Sequence, residues 1–138
     1  MFFVLLCFAS VVLTACSKLQ GNPLLGQEWT LISLKGHDVI SIPGREITAT
    51  FKRGEIVGFT GCNRYSIDEV EVNKDSLVFK HHYAARTDLL CKTLEGFELT
   101  EQENEYLTTF VSATAYSISD GQLELKNEYG DVVLIFQK

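Results

Sequence analysis

From residue 29 onward, apolar and polar side chains alternate in short runs broken by glycine, asparagine and aspartate. That is the signature of half-buried strands joined by tight turns. Trp29-Thr30-Leu31-Ile32-Ser33-Leu34 is rich in strand formers and ends at a turn, Gly36-His37-Asp38. Ile47-Thr48-Ala49-Thr50-Phe51 alternates strictly, turns at Lys52-Arg53-Gly54, and is answered by Ile56-Val57-Gly58-Phe59-Thr60. After a break at Gly61-Cys62-Asn63-Arg64-Tyr65, Ile67 to Val72 and Ser76 to Lys80 read as two further strands across Asn73-Lys74-Asp75. The period then changes. Leu99, Tyr106, Leu107, Phe110 and Val111 fall on one face of a helix over residues 100–112. Thr100-Glu101-Gln102-Glu103 fits a capping box, with Thr100 as the cap and Glu103 reaching back. Ala115 to Ser119 and Gln122 to Lys126 flank Asp120-Gly121, a two-residue hairpin signal, and Val132 to Phe136 follows Tyr129-Gly130. The pattern predicts an α+β single domain: about seven antiparallel strands in a curved sheet or open barrel, packed against one main helix.

The first fifteen residues differ from all this. They carry no charge, and Phe2 to Phe8 with Val11-Val12-Leu13 make an apolar run too short to span a bilayer. The run has the length of an export signal core. Its end, Leu13-Thr14-Ala15-Cys16, resembles the bacterial lipobox, in which small residues admit a peptidase and the cysteine thiol takes a diacylglyceryl group. The resemblance implies cleavage before Cys16 and acylation of its sulfur and new amine. Acyl chains contribute about 0.8 kcal/mol per buried methylene, so two or more anchor stably. The expected division is a lipoprotein signal at 1–15, a lipidated cysteine and polar tether at 16–24, and a domain at 25–138. The alternative is a buried N-terminal helix or an uncleaved anchor. Ser17 beside the lipid cysteine points to the periplasmic face of the outer membrane.

The four cysteines follow from that address. Cys7 leaves with the signal and Cys16 is consumed by lipid. Two remain in an oxidising compartment, which predicts a Cys62–Cys91 disulfide, with two separately buried thiols as the alternative.

Gly58-Phe59-Thr60-Gly61-Cys62-Asn63 resembles the G-x-x-G-C-N signature of the META domain (HslJ-like) family, and Thr87-Asp88-Leu89-Leu90-Cys91 resembles its T-x-x-x-C element. Leu25-Gly26-Gln27-Glu28-Trp29-Thr30-Leu31 is similar to its opening strand. The resemblance singles out Gly61, Cys62, Asn63 and Thr87. It implies an envelope protein, often a lipoprotein, associated with stress, and it implies no catalytic activity.

The remaining chemistry is sparse. A net charge of −6 argues against nucleic acid, whose phosphates need a basic face. Cys62 or Cys91 with His37, His81 or His82 could pair as nucleophile and base, but a disulfide removes both nucleophiles. Cys62, His81, His82 and Cys91 could ligate zinc by count, yet lack a tight C-x-x-C or H-x-x-x-H pair. Asp68, Glu69 and Glu71, and the run from Glu98 to Glu105, read as solvated faces. The expectation is therefore a non-enzymatic envelope lipoprotein without cofactor or metal, held to the membrane by its lipid, that binds an envelope protein or a small apolar ligand. The rivals are a cysteine-dependent hydrolase or redox enzyme and a structural subunit of an envelope machine.

Overall fold

The computed structural model describes residues 21–138. The expected export signal, the lipid site Cys16 and the first part of the tether lie outside the described residues. Ordered packing starts before residue 25. Asn22 Nδ2 donates to the Asn73 carbonyl (2.9 Å) and Tyr116 hydroxyl (2.8 Å), and Leu24 is fully buried.

The chain forms β1 (Glu28–Leu34), β2 (His37–Asp38), β3 (Ile47–Lys52), β4 (Gly54–Thr60), β5 (Arg64–Val72), β6 (Leu77–Phe79) and β7 (Ala85–Arg86). Then come α1 (Thr100–Val111), β8 (Ala115–Ser119), β9 (Gln122–Lys126) and β10 (Val132–Gln137). One antiparallel sheet runs β6-β5-β4-β3-β1-β10-β9-β8, with β2 on β1 and β7 on β5. Its two outer strands meet. Ser76 bridges Ala115, Leu77 N–H donates to the Thr114 carbonyl at 3.0 Å, and Tyr116 N–H donates to the Asp75 carbonyl at 2.9 Å.

This corrects the expected α+β class. The protein is a β-rich, nearly closed barrel with a single short helix among the described residues, not a sheet packed on a main helix. The physical reason is that closure removes the exposed edges an open sheet would leave unpaired.

The alternating runs become strands with one face inward: Ile47, Ala49 and Phe51 are buried on β3, and Leu123 and Leu125 on β9. On β5 the alternation fails at Asp68-Glu69. The register steps from Asp68 opposite Glu55 to Val70 opposite Gly54, and Glu69 is the extra residue of a bulge, with φ 53°. The bulge returns Val70 to the interior. Glu69 stays outside, paired with Lys80 and 3.3 Å from His81 Nε2.

The helix buries all five residues of its apolar face. Phe110 is the hub, with ring centroids 5.7 Å from Tyr106, 5.8 Å from Phe51, 6.0 Å from Phe136, 6.3 Å from Phe79 and 6.4 Å from Tyr65. The barrel interior is thus filled by aromatic rings. The capping box does not form: Leu99 is the cap residue, and no side chain bonds the helix start. Glu103 has been recruited elsewhere.

Candidate functional site

The turn between β4 and β5 gathers the site. Gly61 takes φ 85°, and a Cβ there would stand 3.2 Å from the Arg45 carbonyl, so this position suits glycine. The reversal places Thr60, Cys62 and Asn63 inward, each 1–2 % exposed. Asn63 then uses its whole amide. Oδ1 accepts from Leu89 N–H (2.8 Å) and the Thr87 hydroxyl (2.7 Å). Nδ2 donates to the Leu89 carbonyl and to Glu103 Oε2, both at 3.0 Å. The side chain pairs with Leu89 as a neighbouring strand would, which requires a donor and an acceptor on one group. Aspartate could not supply the donors.

Glu103 completes the network from α1. It is 2 % exposed; Oε1 accepts the Thr60 hydroxyl at 2.5 Å, and Arg86 Nη1 stands 2.8 Å from Oε2. That N–H does not point along the line to the carboxylate, so charge and proximity hold the pair. Reading residues 98–105 as a wholly wet face is therefore wrong at Glu103.

Cys62 and Cys91 are joined by a disulfide with Cα atoms 5.7 Å apart. Thr87 N–H donates to the Arg64 carbonyl (3.0 Å), and Arg64 N–H donates to Thr87 Oγ1 (3.2 Å). The four motif residues Gly61, Cys62, Asn63 and Thr87 thus form one clamp on the segment from Thr87 to Cys91. Replacing both Cys62 and Cys91 with serine is expected to lower stability by roughly 3–4 kcal/mol, the chain-entropy value for a loop of this length. Urea unfolding of the double variant measures it. Thiol titration of the native protein is expected to find neither sulfur free.

What the clamp holds is a small hairpin. Thr93 N–H donates to the Phe97 carbonyl (2.9 Å), Phe97 N–H donates to Thr93 Oγ1 (3.1 Å), and Leu99 N–H donates to the Cys91 carbonyl (3.1 Å). Its apolar side chains face water: Leu89 and Phe97 are more than half exposed, Leu90 is 86 % exposed and Leu94 is 95 % exposed. Four large apolar side chains are thus exposed within nine residues of one short segment.

A second polar contact lies deeper. Tyr65 OH donates to the Thr48 carbonyl (2.9 Å), and the Tyr65 and Tyr106 oxygens are 2.7 Å apart, so Tyr106 donates to Tyr65. The Tyr65 ring crosses Gly58, where a Cβ would come 2.0 Å from the Thr48 carbonyl and 2.7 Å from the ring. This close approach explains the first glycine of the motif.

Burial pushes both phenols well above their ordinary range. The folded state therefore keeps two protons that the unfolded chain releases above about pH 10. Their contribution to stability is complete below that pH and is lost as pH rises from there toward the folded values. The limiting slope is about 1.4 kcal/mol per pH unit for each phenol. Urea midpoints between pH 8 and 11 should fall more steeply for the native chain than for Tyr106→Phe. Equal slopes would show that Tyr106 ionises without penalty.

The other sequence candidates stay apart. His81 contacts Glu69, His82 Nδ1 lies 3.1 Å from the Val111 carbonyl, and His37 sits in β2. Among the described residues no three His, Cys, Asp or Glu side chains are grouped to hold a metal. Sequence reading gave Glu103 the wrong partner, placed Tyr106 on the buried helix face without its hydrogen bond, and assigned no role to Arg86 or the Tyr65 hydroxyl. Tyr65 and Tyr106 at least carried a signal, since each lies in or beside a segment already singled out.

A nearly closed barrel with an aromatic-filled interior and a clamped apolar hairpin defines a small β-barrel module. The META domain family model matches residues 22–138, and the chain belongs to that family. Two solved structures, both determined by NMR, share the fold. One is 22 % identical with a TM-score of 0.61, covering 83 % of this chain and 90 % of its own. The other, from Burkholderia xenovorans, is 24 % identical with a TM-score of 0.58, covering 83 % of this chain and 82 % of its own. No curated protein matches the chain.

Proposed function

We propose that the protein is a non-enzymatic envelope lipoprotein, anchored through Cys16, that binds a partner protein of an envelope stress or assembly system through the hairpin at residues 88–98. The observation that carries this reading is the near-complete exposure of Leu90 and Leu94 on a backbone fixed by a disulfide and by Asn63. Fixing the backbone in advance lowers the entropy lost on binding.

Position favours a protein partner over the anchoring bilayer. Asn22 packs beside Asn73, just past the far end of β5, whereas the hairpin hangs from Asn63, just before its start. Nine strand residues separate the two poles by about 30 Å. The helix agrees: its start adjoins the hairpin, and the chain after its end reaches the seam at Asp75 and Leu77. Six residues from Cys16 to Gly21 extend at most about 20 Å. A lipid at Cys16 therefore sets the hairpin pointing away from its own membrane. The close packing of rings around Phe110 favours a surface site over one inside the barrel.

Two measurements test the parts separately. Radiolabelled palmitate should enter the native chain and not Cys16→Ser. A photocrosslinking amino acid at position 94 should capture a discrete protein from living cells, while one at Lys74, at the opposite pole, should not. Label without position-dependent capture would remove the docking reading and leave the anchor.

A further inference from the structure

The outer wall of β3, β4 and β5 carries a second surface, which adjoins the clamp where Arg45 Nη2 reaches the Cys62 carbonyl (3.5 Å) and the Arg64 backbone pairs with Thr87. In this acidic chain most described lysines and arginines are matched: Lys35, Lys52, Lys80, Arg86, Lys92 and Lys126 all lie within 4 Å of a carboxylate. Arg45, Arg53, Arg64, Lys74 and Lys138 form no such pair among the described residues, and of these Arg45 and Arg64 line one groove of about 640 Å³. Two guanidiniums without a carboxylate partner, side by side in one groove, offer an anion a paired set of donors.

The sheet register sets out the rest of the groove. Arg64, Phe59 and Thr48 are partners across β5, β4 and β3. The Arg45 guanidinium stands over the same Phe59 ring, 5.4 Å from its centroid. The ring therefore holds one cation in place, with the second beside it. The next outward-facing row, about 7 Å further along the strands, holds Thr50 and, opposite it on β1, Glu28. Thr48 and Thr50 are half-buried. The groove is cationic at one end, floored by Thr48 and Thr50 beside Val57 and the Phe59 ring, and carboxylate-bearing at the other end.

We propose that this wall binds one acidic sugar unit, a pyranose bearing a carboxylate. The carboxylate meets Arg45 and Arg64, whose planar forks donate paired hydrogen bonds to its oxygens. The sugar hydroxyls reach Thr48, Thr50 and Glu28, a donor and acceptor set that an apolar or purely anionic ligand would leave unused. Nothing moves covalently; this is a recognition site.

The test is an NMR titration of the purified full chain with D-glucuronate, D-glucose and inorganic phosphate. Glucuronate should shift the amides of Thr48, Val57, Phe59 and Arg64 with a dissociation constant of order millimolar, and glucose should not. Arg45→Ala and Arg64→Ala should each weaken binding by about tenfold or more. Arg53→Ala, at the β3–β4 turn, should leave it unchanged. Both groove arginines are exposed, so their removal leaves the core intact. The proposal is overturned if glucuronate at about 50 mM shifts none of these amides. It is equally overturned if phosphate binds as strongly as glucuronate, or if the two groove variants bind like the native chain.

Discussion

Glu103→Ala is expected to cost about 3–5 kcal/mol, because it removes the buried carboxylate of a half-buried ion pair and leaves two buried donors, Thr60 and Asn63, without it. Thr60, Asn63 and Arg86 all face the Glu103 carboxylate. Thr60 and Asn63 are buried and Arg86 is partly so, and an unsatisfied buried donor alone costs about 1–3 kcal/mol. In a domain of this size the loss corresponds to a fall in Tm of on the order of 10–20 °C. Glu103→Gln should cost less. Its amide oxygen still accepts the Thr60 hydroxyl, while its amide nitrogen opposes Asn63 Nδ2. The ordering native, Gln, Ala in a thermal melt is therefore part of the prediction. A loss below about 1 kcal/mol in the alanine variant would mean that water replaces the carboxylate and that the network does not hold the clamp.

The same variant connects stability to the proposed binding surface. Glu103 steadies Asn63, and Asn63 holds both backbone groups of Leu89. Loosening that contact leaves the disulfide as the main tie on the hairpin. Proteolytic nicking within residues 88–98 should rise in Glu103→Ala even at temperatures where the barrel stays folded.

These residues also mark where sequence reading reached its limit. The hairpin across Asp120-Gly121 was legible because the turn chemistry is local: both residues take positive φ, 49° and 77°. The Cys62–Cys91 pairing was legible because elimination left two sulfurs. Barrel closure was not legible, since it rests on Ser76 meeting Ala115, a pairing between distant segments with no local pattern. Nor was Glu103. Within Glu101-Gln102-Glu103-Asn104-Glu105, a buried carboxylate and a solvated one look the same, and only the arrival of Thr60 and Asn63 beside it separates them. Gly58 is a third case. An isolated glycine in a strand signals a close approach, but the Tyr65 ring that crosses it is identified only by the register of β4 on β5.

Phe110→Ala should be at least as damaging, at about 3–5 kcal/mol. Five rings surround Phe110, and none can move into the space it leaves without abandoning others. Phe51, Phe79, Tyr65 and Phe136 belong to four different strands, so the cavity would open at the centre of a closed wall rather than at an edge that could collapse. Aromatic pairs add about 0.5–1.5 kcal/mol beyond area burial, and this position makes several. Phe110→Leu keeps much of the volume and should cost markedly less. Val78→Ala supplies the contrast: half-exposed on β6, it should stay within about 0.5 kcal/mol of the native chain. Urea unfolding of the three variants at neutral pH separates these cases. If Phe110→Ala fell no further than Val78→Ala, the helix would be resting on the barrel rather than filling it, and the rigidity claimed for the clamped hairpin would lose its foundation.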